Sequence, residues 1–156
     1  MAVTPSPAQG AALRQLGMLH SDELPALAAD WLTEYDSPAL RRLAGLSGSE
    51  GWLNDQLWPE VLTDLGADEV SGDEAWDLAI TFQLALWRAG TRTTVDVMRQ
   101  VTRAYTDSGY PRCAAEAGRL YAFDRELSSG GRARGEVLAE VEQALTELAE
   151  LRDLRL

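Results

Sequence analysis

Very few His or Cys side chains in this sequence are available to bind zinc or a redox-active metal. The 156 residues include one His, His20, and one Cys, Cys113. Zinc and redox-metal sites need several His or Cys ligands, and a di-iron helical bundle needs paired Glu-x-x-His sequences, which the chain lacks. Asp73, Glu74 and Asp77 cluster at a predicted helix start, where acids are expected because they complement the helix dipole. The sequence therefore predicts no metal site and no cofactor.

Cys113 is the main candidate for nucleophilic catalysis. It lies close to a predicted helix start, a position that can activate a thiol. The only possible base is His20, far away in the sequence, and no third residue is placed to orient it. The chain also lacks the Gly-x-Ser-x-Gly sequence of serine hydrolases and a phosphate loop ending in Lys-Ser or Lys-Thr. We therefore expect a protein that is not an enzyme.

A different group of residues has the composition of a protein-binding surface. Trp52 and Trp58 flank a stretch rich in acids, and aromatic anchors surrounded by charge are typical of interface hot spots. A kinked helix of the protein core would contain the same residues, so both interpretations stay open. The predicted partner-binding residues are Trp52, Asp55, Trp58, Glu60, Asp64, Asp68 and Glu69.

Charge is distributed unevenly along the chain, which has a net charge of −11 and no Lys. Residues 1–87 contain three Arg and fourteen carboxylates, whereas residues 88–134 contain nine Arg and five carboxylates. An acidic surface repels nucleic acid and anionic membranes and favours a basic partner. The arginines of residues 88–134 could touch phosphates, but we expect them to pair with the acidic first half. Asp96 with Arg99 and Arg112 with Glu116 are further expected pairs on helices.

Cellular location is predicted from what the sequence does not contain. No apolar run approaches the roughly 18 residues of a membrane span. The first residues lack the basic and then apolar pattern of a signal peptide, and a single Cys cannot form an internal disulfide. We expect a cytoplasmic protein that does not enter membranes.

Helix signals are dense along the chain, and strand signals are scarce. Apolar residues recur at helical spacing, and the runs are separated by Gly, Pro and capping residues. Pro59 is expected to break or kink the fourth helix, because it lacks an N–H group and clashes with the preceding turn. The predicted helices span Ala8 to Met18, a segment after Ser21, Pro38 to Gly45 or Gly48, 49–65, a segment from Ser71 to Gly90, Thr93 to Thr106, Pro111 to Leu127, and Arg134 to Leu154.

The sequence predicts an all-α fold, a compact single-domain bundle of about seven or eight helices with a long C-terminal helix. Residues 1–7 are predicted to be a flexible tail, and residues 8–156 a single domain. The favoured function is an acidic protein-binding module, such as an inhibitor or immunity protein that neutralises a basic toxin. One alternative is an adaptor or regulatory subunit that docks through the Trp-rich and C-terminal helices. Another is a helical enzyme or small-molecule binder with an apolar pocket among the tryptophans.

Overall fold

The computed structural model describes residues 2–153, and in that range the chain forms eight α-helices and no β-strand. This confirms the predicted all-α class, the helix number and the long final helix. A short 3₁₀ turn, Ser21–Glu23, lies between the first two helices. The helices are α1 Pro7–Gln15, α2 Leu24–Trp31, α3 Pro38–Ala44, α4 Gly51–Asp64, α5 Gly72–Arg88, α6 Thr94–Asp107, α7 Ala115–Ser129 and α8 Arg134–Asp153.

The chain divides into two compact units, and the division falls within α5, between Leu78 and Ala79. In the first, unit 1, α3 packs against α2 and α4, while α1 contacts α4. In the second, unit 2, α6 packs against α7, and both helices contact α8. The predicted single domain over residues 8–156 and the flexible tail over residues 1–7 stay predictions.

Capping residues begin several helices where the sequence predicts. The Ser37 hydroxyl accepts a hydrogen bond from the backbone N–H of Leu40 at 3.0 Å, and Pro38 occupies the first helical position. The Ser71 hydroxyl accepts from the N–H of Glu74 at 3.2 Å at the start of α5. These side chains satisfy N–H groups that have no partner within the helix.

The end of α1 and the start of α7 differ from prediction by three or four residues, because local hydrogen bonds hold turns there. The helix α1 ends at Gln15, not Met18, since Gly17 has a φ of +73° and Met18 N–H donates to Leu13. The helix α7 begins at Ala115 rather than Pro111, because Ala114 N–H donates back to the Pro111 carbonyl and holds a turn. The predicted end of α8, Leu154, lies outside the described residues.

Of the predicted break or kink at Pro59, the break is wrong, because α4 runs without interruption from Gly51 to Asp64, and the kink stays a prediction. Proline has no N–H to donate to the carbonyl four residues earlier, which belongs to Asp55. Asp55 and Pro59 are both exposed, so the missing hydrogen bond lies on the side of the helix that faces solvent.

Each unit has its own apolar core. Trp31 and Trp58 are both nearly inaccessible in unit 1, and α8 supplies much of the core of unit 2. Trp87 is half-buried, and its indole N–H donates to the Thr94 hydroxyl at 3.1 Å. The fully buried large side chains are Leu24, Leu40, Leu43 and Val61 in unit 1, and Gln83, Val97, Met98, Val101, Leu120, Val137, Val141 and Leu145 in unit 2.

Candidate functional site

The two tryptophans predicted to act together lie on different sides of α4. Trp52 is 67% exposed in the first turn of the helix, whereas Trp58 is only 6% exposed. Six residues correspond to a rotation of about 600° around the helix axis. The directions of the two side chains therefore differ by roughly 120°. Trp52 is therefore available to a partner, and Trp58 is not.

Trp58 belongs to the core of unit 1, which corrects its assignment to the binding surface. Its ring stacks on Trp31 with centroids 5.6 Å apart and planes inclined by 20°. Gly10 of α1 lies beside this stack, where an added Cβ would be only 2.7 Å from the Trp31 ring. The rings contact one another directly, and the apolar pocket expected among the tryptophans does not lie between them.

Asp55 is exposed but makes ionic and hydrogen bonds within unit 1. One carboxylate oxygen lies 2.7 Å from the Arg14 guanidinium and also accepts from the Ser21 hydroxyl at 2.7 Å. Next to it on α4, the buried Asn54 amide donates to the carbonyls of Ser21 and Ser47 at 3.0 and 3.2 Å. Asp55 therefore helps to attach the 3₁₀ turn to α4, and its charge is partly compensated before any partner binds.

Glu60 also has a partner within unit 1. Its carboxylate lies 3.8 Å from the Arg42 guanidinium across the α3–α4 groove, and both side chains are about two-thirds exposed. An open cavity of about 360 Å³ lies in this groove, with Leu46, Leu53 and Leu57 among its lining residues. An exposed ion pair of this kind contributes little to stability and can exchange for a partner's charge.

The remaining predicted acids follow one another at the end of α4 and in the segment leading to α5. Asp64, Asp68 and Glu69 are exposed, and within residues 2–153 none of them forms an ion pair or a hydrogen bond through its side chain. We call these three residues the acidic end. Four of the seven predicted site residues are therefore exposed and form no ion pair or side-chain hydrogen bond among residues 2–153. They are Trp52 and the three residues of the acidic end.

A second cavity, of about 240 Å³, lies beside Trp31 in unit 1. The indole N–H of Trp31 donates to the Pro5 carbonyl at 2.7 Å, which attaches the N-terminal segment to α2. Asp30, Glu34 and Tyr35 are also among its lining residues. Sequence reasoning placed none of these residues in a site.

Several arginines of residues 88–134 form ion pairs with carboxylates of unit 2, and the expected pairing with the acidic first half stays a prediction. The expected Arg112–Glu116 pair is wrong, because Glu116 instead pairs at 2.6 Å with Arg152, which is 5% exposed. The ion pairs are Arg88–Asp153 at 2.7 Å, Arg103–Asp107 at 3.8 Å, Arg119–Glu147 at 3.3 Å, and Arg132 with Glu126 and Glu140, both at 2.7 Å.

Hydrogen bonds shift the pKa of several exposed carboxyls in unit 2. The Thr93 hydroxyl and N–H lower the pKa of Asp96, and the charges of Arg92 and Arg99 add a smaller effect in the same direction. The Gln143 amide and then the Arg119 guanidinium lower the pKa of Glu147. The expected Asp96–Arg99 attraction therefore affects this carboxyl less than the helix cap does.

A cluster of three tyrosines in unit 2 was missed by sequence reasoning. Tyr105, Tyr110 and Tyr121 lie with ring centroids 5.5 to 5.7 Å apart. Three of the four Tyr in the chain occur within residues 105–121, which is the only sequence signal of this cluster.

Comparison with known proteins gives no independent assignment. No family model, curated protein or solved structure matches this chain. Among residues 2–153, no three His, Cys, Asp or Glu side chains are grouped as metal ligands. Over the same residues, every helix is too short or too polar to cross a bilayer.

Proposed function

We propose that this protein is an acidic protein-binding module that inhibits a basic partner, as the immunity half of a toxin–immunity pair does. The observation that carries this proposal is the acidic end, whose three carboxylates are exposed and have no ionic partner among residues 2–153. They belong to residues 1–87, where three Arg oppose fourteen carboxylates. Such a field speeds association with a positively charged protein.

The exposed indole of Trp52 supports a protein partner over a diffuse electrostatic attraction. Tryptophan is enriched among residues that contribute most to binding, and complementary charges at an interface confer specificity. A basic nuclease would fit this chemistry, because the carboxylates of the acidic end would occupy positions that otherwise bind phosphate. Asp55 and Glu60 would contribute less, since Arg14 and Arg42 already lie beside them.

The proposal is tested on the partner recovered with the protein from its native cells. A variant carrying Asp64→Asn, Asp68→Asn and Glu69→Gln removes the charge of the acidic end with little change of shape. We expect its association rate at low ionic strength to fall about tenfold, and its dependence on salt to become weaker. Stopped-flow kinetics over a range of salt concentrations measures both quantities, and an activity assay of the partner measures inhibition.

A matched control removes the same number of exposed carboxylates from α8 through Glu136→Gln, Glu142→Gln and Glu150→Gln. If the effect depends on position, this control associates almost as fast as the unmodified protein. Equal slowing by both variants would show that net charge alone matters. An acidic partner, or a rate that does not respond to salt, would contradict the proposal.

The adaptor alternative is favoured by one observation, the 67% exposure of Trp52. An adaptor that docks through this indole would assemble through apolar contact, so its binding would be insensitive to salt. The substitution Trp52→Ala would then abolish binding, while loss of charge at the acidic end would leave the affinity unchanged. The two functions therefore predict opposite results for the same pair of variants.

A further inference from the structure

The tyrosine cluster of unit 2 joins two helices and the segment between them. Tyr105 belongs to α6, Tyr121 belongs to α7, and Tyr110 lies in the connection. The Tyr110 ring is nearly perpendicular to that of Tyr105, with an interplanar angle of 84°, and the corresponding angle to Tyr121 is 68°. Gly118 of α7 makes room for this arrangement, because a Cβ there would lie 3.1 Å from the Tyr105 hydroxyl oxygen.

Tyr110 adopts a backbone conformation that bulky residues rarely occupy. Its φ is +58°, in the left-handed region, and it directly follows Gly109 at +75°. The Tyr110 N–H donates to the Tyr105 carbonyl at 3.0 Å, which closes the end of α6. Such strain persists only where the surrounding structure enforces it, and it is concentrated at functional sites. In this protein, the strained backbone positions the Tyr110 side chain, which is 53% exposed.

Arg125 adds a positive charge to the cluster. It is exposed on α7, one turn after Tyr121, and its guanidinium Nη1 lies 3.5 Å from the Tyr121 hydroxyl. In the described part of the chain, Arg125 forms no ion pair. A guanidinium has five N–H donors, so most of its donors stay available to a ligand. The neighbouring Tyr121 phenol raises the pKa of Tyr110.

We propose that Tyr110, Tyr121 and Arg125 form a binding site for a carboxylate group of an acidic peptide segment. Charge complementarity supports an anionic occupant, because the exposed Arg125 guanidinium has no carboxylate paired with it among residues 2–153. The planar guanidinium fork matches a carboxylate, and phenolic hydroxyls can donate to the same oxygens. The site offers one unpaired cation, which neutralises a singly charged carboxylate but not a doubly charged phosphate monoester. The exposed Tyr110 ring provides apolar contact for the neighbouring peptide.

This site is independent of the acidic end, since it lies in unit 2 and selects ligands of the opposite charge. A titration can therefore test it without the partner proposed for unit 1. The protein carries four tyrosines, and Tyr35 in unit 1 serves as an internal reference. Ring-¹³C-labelled tyrosine gives separate NMR signals for the cluster and for this reference. The probe is a blocked peptide of alternating Glu and Gly, and the matched control is the same peptide with Gln in place of Glu.

We expect the Glu peptide, at constant ionic strength, to shift the ring signals of Tyr110 and Tyr121 in a saturable way, while Tyr35 stays unchanged. The Gln peptide should produce no such shift. The substitution Arg125→Gln should weaken binding about fivefold, and Arg125→Lys should restore part of it. The control Arg99→Gln removes another exposed arginine of unit 2 and should leave the affinity unchanged.

Four results would overturn the proposal. One is the absence of any shift with the Glu peptide, and another is an equal shift with the Gln peptide. A third is unchanged affinity in Arg125→Gln despite a native spectrum. The fourth result comes from a titration with inorganic phosphate. If phosphate saturates the site at a lower concentration than the Glu peptide does, the choice of a carboxylate ligand is contradicted.

Discussion

At the level of single residues, Gly10 determines how closely α1 approaches the aromatic stack of unit 1. A Cβ at this position would lie 2.7 Å from two ring carbons of Trp31, which is shorter than a van der Waals contact. Trp31 cannot easily move away, because it is 3% exposed and stacks on Trp58. The absence of a side chain at Gly10 is therefore a packing requirement of this core.

The substitution Gly10→Ala should destabilise the protein by about 1–3 kcal/mol, the usual range for overpacking a tight core. Chemical denaturation followed by circular dichroism measures the change. Gly135→Ala in α8 is the control, because a Cβ there meets no atom within 4 Å. Alanine lowers the entropy of the unfolded chain, so this control should be neutral or stabilising by about 0.5–1 kcal/mol. Equal effects of the two substitutions would contradict the packing explanation.

The sequence alone was sufficient to assign Trp52 and Trp58 to different faces of α4, because a six-residue spacing places two side chains on different sides of a helix. It could not have shown that Trp58 stacks on Trp31, since this contact joins residues from α4 and α2. Likewise, the ionic partners of Asp55 and Glu60 come from other elements, Arg14 in α1 and Arg42 in α3. Local patterns identify exposed acids but not the distant arginines that compensate them.

At the level of helices, the sequence was sufficient to predict where a capped helix starts. It was not sufficient to predict a helix boundary that depends on distant contacts. Ser37, Ser71 and Thr93 each bind a backbone N–H two or three residues into the helix that follows. This signal lies within four residues, so it is visible in the sequence. The late start of α7 depends on the turn at Pro111 and on the position of the Tyr110 ring, which packs on both α6 and α7.

Asn54 is the residue that attaches the two segments preceding α4 to the body of that helix. It is completely buried, and its amide donates to the carbonyls of Ser21 and Ser47. The substitution Asn54→Ala removes both donors and should lower the free energy of unfolding by about 2–3 kcal/mol. Urea denaturation measures the loss. Gln56→Ala, at an exposed position of the same helix, should change stability by less than about 0.5 kcal/mol.

Arg132 joins the end of α7 to α8 across the glycine-containing linker. Its guanidinium donates to Glu126 and Glu140, and the hydrogen bond to Glu140 lowers the pKa of that carboxyl. A lowered pKa means that the unfolded chain binds the proton more readily. The stabilisation is therefore present above the ordinary glutamate pKa and is lost as the pH falls through the lower value of the folded state.

We expect Arg132→Gln to melt at a lower temperature than the unmodified protein at pH 7, and the difference to shrink below about pH 4. Calorimetry at several pH values follows this convergence. Arg134→Gln is the control, because this exposed arginine forms no ion pair in the described residues and should show no such pH dependence. A difference that persists unchanged in acid would assign the effect of Arg132 to packing.

At the level of the whole molecule, the excess of carboxylates opposes folding. The chain has 25 Asp and Glu against 14 Arg, so the carboxylates outnumber the cations by 11. Repulsion among like charges destabilises a compact state, and salt screens it. Composition alone was sufficient to predict this property, because it does not depend on which residues are neighbours.

The melting temperature at pH 7 should therefore rise as sodium chloride increases from about 0.01 M to about 0.2 M, where the Debye length falls from about 30 Å to about 7 Å. Near the isoelectric point of about 4.4 the same salt increase should have little effect. Calorimetry at the two pH values measures both responses. A melting temperature that falls with salt at pH 7 would mean that the stabilisation from ion pairs is larger than the destabilisation from net repulsion.

The stack of Trp31 on Trp58 also gives unit 1 an optical signature. Indoles whose centroids lie 5.6 Å apart couple their electronic transitions, and coupled transitions produce a pair of circular dichroism bands of opposite sign. Isolated indoles, such as the exposed Trp52, contribute no such pair. The double band disappears as soon as one ring leaves the other, so it reports the opening of this core separately from the loss of helix. Its amplitude can therefore follow the unfolding of unit 1 without any added label.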